Sequence, residues 1–182
     1  MAVESSVSGY RRVTARARTL SVTGEVTHRH EADRYVSEPG VAVLVKRGVP
    51  RSVVFRCPDG CGDVLTINLD RRSGPAWRLY LDRSGTSLFP SVWRETGCES
   101  HFIVWRSRII WCDADDERVD AESSELEDQV LAALTHSNQN YADVADRLGE
   151  IPWAVLAACN RLVEKGLAVR GNGRLLAHYR LR

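Results

Sequence analysis

The sequence predicts an α+β chain built as two domains, a β-rich one followed by a small helical one. Three observations predict it. Over the first 112 positions the apolar residues come in short β-branched and aromatic runs; beyond position 120 they recur at helical spacing; and the acidic run DADDERVD at 113–120 separates the two patterns. A chain of 182 residues has room for one large domain or two small ones. The expected division is a first domain over 1–112, an acidic linker over 113–120 and a second domain over 121–182.

Charge follows the same division. The formal net charge is only +1, with 25 Lys+Arg against 24 Asp+Glu. Residues 1–112 hold 17 basic against 11 acidic side chains, 113–120 hold one against five, and 121–182 hold seven against eight. The near-neutral total argues against a dedicated nucleic-acid coat. No apolar run reaches the roughly 18–20 residues that span a bilayer, and the first residues lack the apolar centre of a signal peptide. A cytoplasmic protein with no membrane partner is therefore expected. Five cysteines, an odd number without an export signal, read better as a metal site than as a disulfide framework.

In the first domain six strands are expected. VAVLV (41–45), SVVFR (52–56), VLTINL (64–69) and WRLYL (77–81) are four, and FIVW (102–105) with RIIW (108–111) add two more. The two-residue link Arg106-Ser107 predicts a tight hairpin. The segment 10–40 predicts at least one early strand and a mobile stretch after it, over HEADRYVSEPG. No glycine-rich phosphate loop of the Walker or dinucleotide kind is present.

The sharpest chemistry lies in two knuckles. RCPDGCG sets Cys57 and Cys61 three residues apart, and TGCESHF sets Cys98 and His101 two residues apart. Glycine- or proline-flanked turns can point two side chains at one ion and leave backbone N–H groups free for thiolate sulfur. The pairs predict one tetrahedral Cys₃His zinc site of Cys57, Cys61, Cys98 and His101, since thiolate with imidazole favours Zn²⁺ over Ca²⁺ or Mg²⁺. The blander reading is buried thiols and a surface histidine. A closed four-ligand site builds structure. If one ligand were displaced, Glu99 or Asp59, inside the ligand loops, could act as base on a zinc-bound water. Ser91 is the alternative nucleophile, and its only nearby histidine is the one assigned to zinc. Cys112 has no such partner, and Cys159 falls on an apolar helical stripe.

The stretch from FRCPDGCG through LTINL and AWRL to SLFPSVWRETGCESHFIVWRSRIIWC resembles a bacterial family of unknown function. That family is encoded beside ubiquitin-like proteins and their activating and conjugating enzymes, in suspected antiviral-defence operons. The resemblance covers about residues 40–112 and maps the family's knuckles onto Cys57, Cys61, Cys98 and His101. It implies that the partners are a ubiquitin-like protein and its conjugation enzymes, and that the function is a peptidase that processes or deconjugates the ubiquitin-like protein. The alternative is a non-enzymatic zinc and winged-helix module for a protein or nucleic acid. Two departures stand out: Asp59 within the first knuckle, and Phe89-Pro90 where the family pattern has Ser-Pro.

The second domain reads element by element. ELEDQVLAALTH (125–136) places Leu126, Val130, Leu131 and Leu134 on one stripe, with Ser124 and Glu127 as a capping box. NYADVADRLGE runs from an Asn140 N-cap to Gly149, and a third helix starts near Pro152 and closes at Gly166. Two strands are expected around Gly171-Asn172-Gly173. In order and length, residues 121–182 resemble a winged-helix domain. The third helix offers Trp153, Asn160, Arg161, Glu164 and Lys165 to a groove, too few cations for DNA. Protein docking or self-association through an exposed Trp153 is expected instead.

Overall fold

The computed structural model describes residues 16–112 and 124–182. The chain separates into two compact units, up to Asp113 and from Ala114. The acidic run 113–120 lies outside the described residues. The fold is mixed α+β, and no described helix is long and apolar enough to cross a membrane.

The first unit holds two four-stranded sheets. One is β1 (Ser21–Val26), β2 (Val41–Arg47), β3 (Val49–Arg56) and β4 (Val64–Asn68), paired in that order. The other is β5 (Arg78–Asp82), β6 (Gly85–Trp93), β7 (His101–Trp105) and β8 (Arg108–Trp111), likewise in chain order. Ala42, Val53, Phe55 and Ile67 of the first sheet meet Leu88, Phe102, Val104 and Ile109 of the second in one core. Phe55 and Phe102 cross edge to face, centroids 6.4 Å apart. Burying side chains of this size contributes about 1.5–3 kcal/mol each.

The first sheet is covered on its other face too. Val43, Val45 and Val54 alternate with the core residues and pack on Ala32 and Val36. Strands buried on both faces read as continuous apolar runs, which is why VAVLV and SVVF are so unbroken. Ala32 and Val36 belong to the stretch expected to be mobile. It instead forms α1 (Arg29–Ala32) and a buried return, so that β1 pairs with β2 in parallel. The Glu31 carboxylate accepts from the N–H groups of Thr27 and His28 at 3.1 and 2.9 Å and starts the turn.

The 106–107 hairpin has φ of 50° and 61° at Arg106 and Ser107, as a two-residue type I′ link requires. Strand β6 has no counterpart among the six expected strands. Its Pro90 and its buried Thr86 and Ser87 disguise it. The register of β6 on β7 shifts between Leu88 and Val92, so Phe89, Pro90 and Ser91 face a single residue, Ile103. Proline is tolerated in a sheet at such a bulge, where no ladder N–H is needed.

The second unit holds α2 (Ser124–Ala133), β9 (Gln139–Asn140), α3 (Tyr141–Leu148), α4 (Pro152–Glu164), β10 (Ala168–Arg170) and β11 (His178–Leu181), with sheet order β10-β11-β9. Asn140 Oδ1 accepts from the N–H of Ala142 at 2.9 Å, and Gly149 ends α3 with φ 70°. The N–H groups of Gly166 and Leu167 donate to the carbonyls of Val163 and Leu162, both at 2.9 Å, closing α4 in a Schellman motif.

Three details differ from expectation. The strands β10 and β11 are joined by residues 171–177, which include a 3-10 turn at Gly173–Leu175, rather than by a tight glycine turn. Glu127 forms no capping box with Ser124; it is buried and pairs with Arg161 at 3.0 Å and with Lys165. Trp153 is not exposed. At 4% accessibility it belongs to the core of its unit, its ring centroid 6.4 Å from that of Tyr141.

Candidate active site

The loop 94–100 joins β6 to β7 and carries the site. At one end the bulge in β6 presents Ser91, and at the other His101 opens β7. Trp93 pairs with His101 across the two strands, so Ser91, two residues before Trp93, is the diagonal neighbour of His101 on that face. The Ser91 Oγ to His101 Nε2 distance is 3.0 Å. Which atom donates depends on the imidazole tautomer; a contact of this length is one through which an imidazole can take a serine proton. Both side chains are half-buried. The ring of Trp93, 65% exposed, lies 5.9 Å from the imidazole, centroid to centroid. Trp77 Nε1 donates to the Ser91 carbonyl at 3.3 Å and ties down the bulge from the side of β5.

Three of the four expected metal ligands come together. The sulfurs of Cys57, Cys61 and Cys98 lie within 4.8 Å of one another, so the three could hold a metal ion. The Cys57 turn is closed by its N–H to the Asp63 carbonyl at 2.7 Å. On a tetrahedron with Zn–S of about 2.3 Å the sulfurs would stand about 3.8 Å apart. Cys57 and Cys98 are 3.6 Å apart, a spacing that fits. His101 is not in this group. Its Nε2 is engaged by Ser91, because β7 carries its first residue onto the face shared with Ser91 and Trp93.

Arg94 occupies the flank of the sulfur group. Its Nη1 donates to Cys98 Sγ at 3.0 Å and Cys61 Sγ at 3.2 Å, and its Nη2 to Asp63 at 2.7 Å. A Cβ at Gly97 would stand 2.9 Å from Nη2, so a side chain there would make the guanidinium shift. Desolvation acts to raise the Cys98 thiol, but hydrogen bonding with the side chain and backbone of Ser100, and with Cys57 and Cys61, outweighs it and holds Cys98 below the usual thiol range. Burial pushes Cys61 up, to about 12. Of these two thiols Cys98, on the loop that leads to His101, is the more readily ionised.

Glu99 lies exposed in the same loop with φ 52° and makes no hydrogen bond to the serine, the histidine or the cysteines. Asp59 is buried and bound to Arg16 at 2.8 Å. Cys112 is exposed and Cys159 buried, its thiol pushed up to about 12 by burial. Sequence reasoning noted His101 as the only histidine near Ser91 but assigned it to the metal; it missed Arg94 altogether. The bulge that brings the pair together is hinted at only by Pro90 within an otherwise strand-like run.

Against known proteins, residues 27–112 match the family model described as "Bacterial ubiquitination-like system serine protease (BubE)". The matched region is similar to that family and contains Ser91, His101 and all three clustered cysteines. No curated protein and no solved structure matches the chain.

Proposed function

We propose that this chain is a serine peptidase of a bacterial ubiquitination-like system, acting in the cytoplasm on the ubiquitin-like protein, either to process its tail or to release it from a conjugate. The 3.0 Å hydrogen bond between Ser91 and His101 carries the reading, and the similarity of 27–112 to a family described as serine proteases supports it. Ser91 Oγ attacks the scissile carbonyl carbon while His101 Nε2 takes the hydroxyl proton. His101 returns that proton to the departing amine, leaving an acyl ester on Ser91. A water, deprotonated by His101, then cleaves the ester and frees Ser91. The Trp93 ring stands beside the imidazole, 5.9 Å between centroids. A zinc-bound water with Glu99 as base is the weaker route, because His101 is engaged by Ser91 and Glu99 reaches neither.

Zn²⁺ is the ion the three thiols suit best, and its chemistry there is structural: it would pin 57–61 to the loop ending at His101. Arg94 balances the surplus negative charge of three thiolates around a divalent ion.

The second unit reads as a winged helix that binds protein, another copy included, rather than DNA. The cations of α4 are spent within the unit, Arg161 and Lys165 on Glu127, and Asn160 accepts from Tyr179 Oη at 2.7 Å. Leu167, Leu175 and Leu176 are exposed instead.

The test is incubation with the ubiquitin-like protein encoded in the same operon, read by intact mass. Expected is loss of its tail, together with covalent capture of Ser91 by a fluorophosphonate. Turnover that survives Ser91→Ala, or no turnover by the native chain, would overturn the peptidase reading. Binding that survives Ser91→Ala without any turnover by the native chain would favour the non-enzymatic module.

A further inference from the structure

A groove of the first unit is lined in part by Trp77. It has a volume of ≈560 Å³ and a floor that includes Leu44, Leu69, Leu79 and Leu81. Consecutive residues Trp77, Arg78 and Leu79 line it. Successive side chains of a strand point to opposite faces, so Trp77 and Leu79, which also pack on the core, and Leu81 line it from one face of the β5 segment, and Arg78 from the other. β5 is the end strand of its sheet and, among the described residues, pairs only with β6.

Charge around the groove is one-sided. Arg71, Arg72 and Arg78 line it, and Asp70 is its single acid. Asp70 is already claimed twice, by Arg72 at 2.8 Å and by Arg51. The Arg72 guanidinium holds its carboxyl well below the usual range, so it stays ionised and absorbed. Arg71 is exposed and, among the described residues, its guanidinium makes no hydrogen bond or ion pair. An aliphatic floor beside an open strand edge and under surplus guanidinium suits one kind of ligand. It must be extended, carry apolar residues on alternate positions and bear carboxylates. Nucleic acid would instead call for stacking faces, and Trp77, half-buried and donating to Ser91, is the groove's only aromatic lining residue.

We propose that this groove binds an acidic, extended peptide segment of the partner protein by strand addition to β5, with Arg71 reading its carboxylates. The proposal rests on the peptidase reading for its purpose: Trp77, which lines the groove, donates to the Ser91 carbonyl at 3.3 Å. Binding itself does not depend on turnover.

The experiment uses the full chain carrying Ser91→Ala and fluorescence anisotropy. The probes are a labelled peptide of alternating glutamate and valine, its lysine–valine counterpart, the acidic peptide N-methylated at alternate residues, and a single-stranded oligothymidylate. Expected is binding of the acidic peptide alone. Arg71→Glu, on an exposed side chain, should weaken it about five- to tenfold at unchanged melting temperature and improve the lysine peptide. N-methylation should remove binding, since it blocks the edge hydrogen bonds. The proposal is overturned if the acidic peptide does not bind, if Arg71→Glu or N-methylation leaves its affinity unchanged, or if oligothymidylate binds more tightly with the same dependence on Arg71. Cleavage by the native chain without groove binding would sink this proposal alone. Groove binding with a Ser91 that never reacts would sink the peptidase reading alone.

Discussion

Each unit carries an ionic cluster, and the two clusters are finished differently. In the second unit the Glu127 carboxylate is buried, and two cations from α4 satisfy it. It ties α2 to α4 and leaves no unmet demand. In the first unit Arg94 bridges two thiols and Asp63 at a partly open surface, on a loop whose far end is His101. The sulfurs there still have capacity for an ion, and the Ser91 hydroxyl beyond them faces a base. Charge complementarity alone does not mark a site. What separates the two is whether the groups are fully satisfied by the fold or left with chemistry to do.

The largest expected effect breaks the comparison at the serine. Ser91→Ala should lower cleavage of the ubiquitin-like protein at least about a thousandfold. The melting temperature should not change, because the hydroxyl is only half-buried. Progress curves with a thermal melt of the same sample check both.

The sulfur cluster comes next. Freshly purified protein should carry zinc bound through Cys57, Cys61 and Cys98, and Cys98→Ser or a chelator should remove it. Such binding energy is folding energy, so the transition of the first unit should fall while the helical signal of the second persists. Metal analysis with circular dichroism reads both. Zinc-free native protein of undiminished stability would leave the cysteines as packing.

A smaller effect is expected in the second unit. Breaking a buried ion pair costs about 3–5 kcal/mol. Here the cations are partly exposed, the Lys165 side chain at 56% and Arg161 at 35%, so Glu127→Gln should cost roughly 1–2 kcal/mol. Lys165 chiefly, then Arg161 against the opposing effect of burial, lowers the Glu127 carboxyl from its ordinary 4.5. A carboxyl lowered on folding contributes stability above its unfolded pKa and loses it as pH falls through the folded one. The native unit should therefore lose stability below about pH 4.5 more steeply than the Gln variant. Urea titrations of the two at descending pH test this.

The smallest effect belongs to Trp93. Its ring stands beside His101 without touching the proton path, so Trp93→Ala should lower kcat/KM about three- to tenfold and leave zinc content alone. An unchanged rate would remove Trp93 from the site.

What the sequence determined by itself is whatever depends on near neighbours along the chain. The helices of the second unit were legible because Asn140, Gly149, Pro152 and Gly166 punctuate them locally. The strands of the first unit other than β6 were legible from β-branched runs that both faces of a sheet require, and the cysteine knuckles from spacing across a single turn. The tertiary structure decided what spacing cannot carry. The bulge at 89–91 is a mismatch between two strands, not a property of either, and it took His101 from the sulfurs and gave it to Ser91. Arg94 reaches thiols on two separate turns, Trp153 is buried by neighbours from other helices, and Glu127 finds its cations more than thirty residues away. Long-range register and burial set those partners, because a side chain's chemistry is fixed by which groups meet it in space and only its type is written in the sequence.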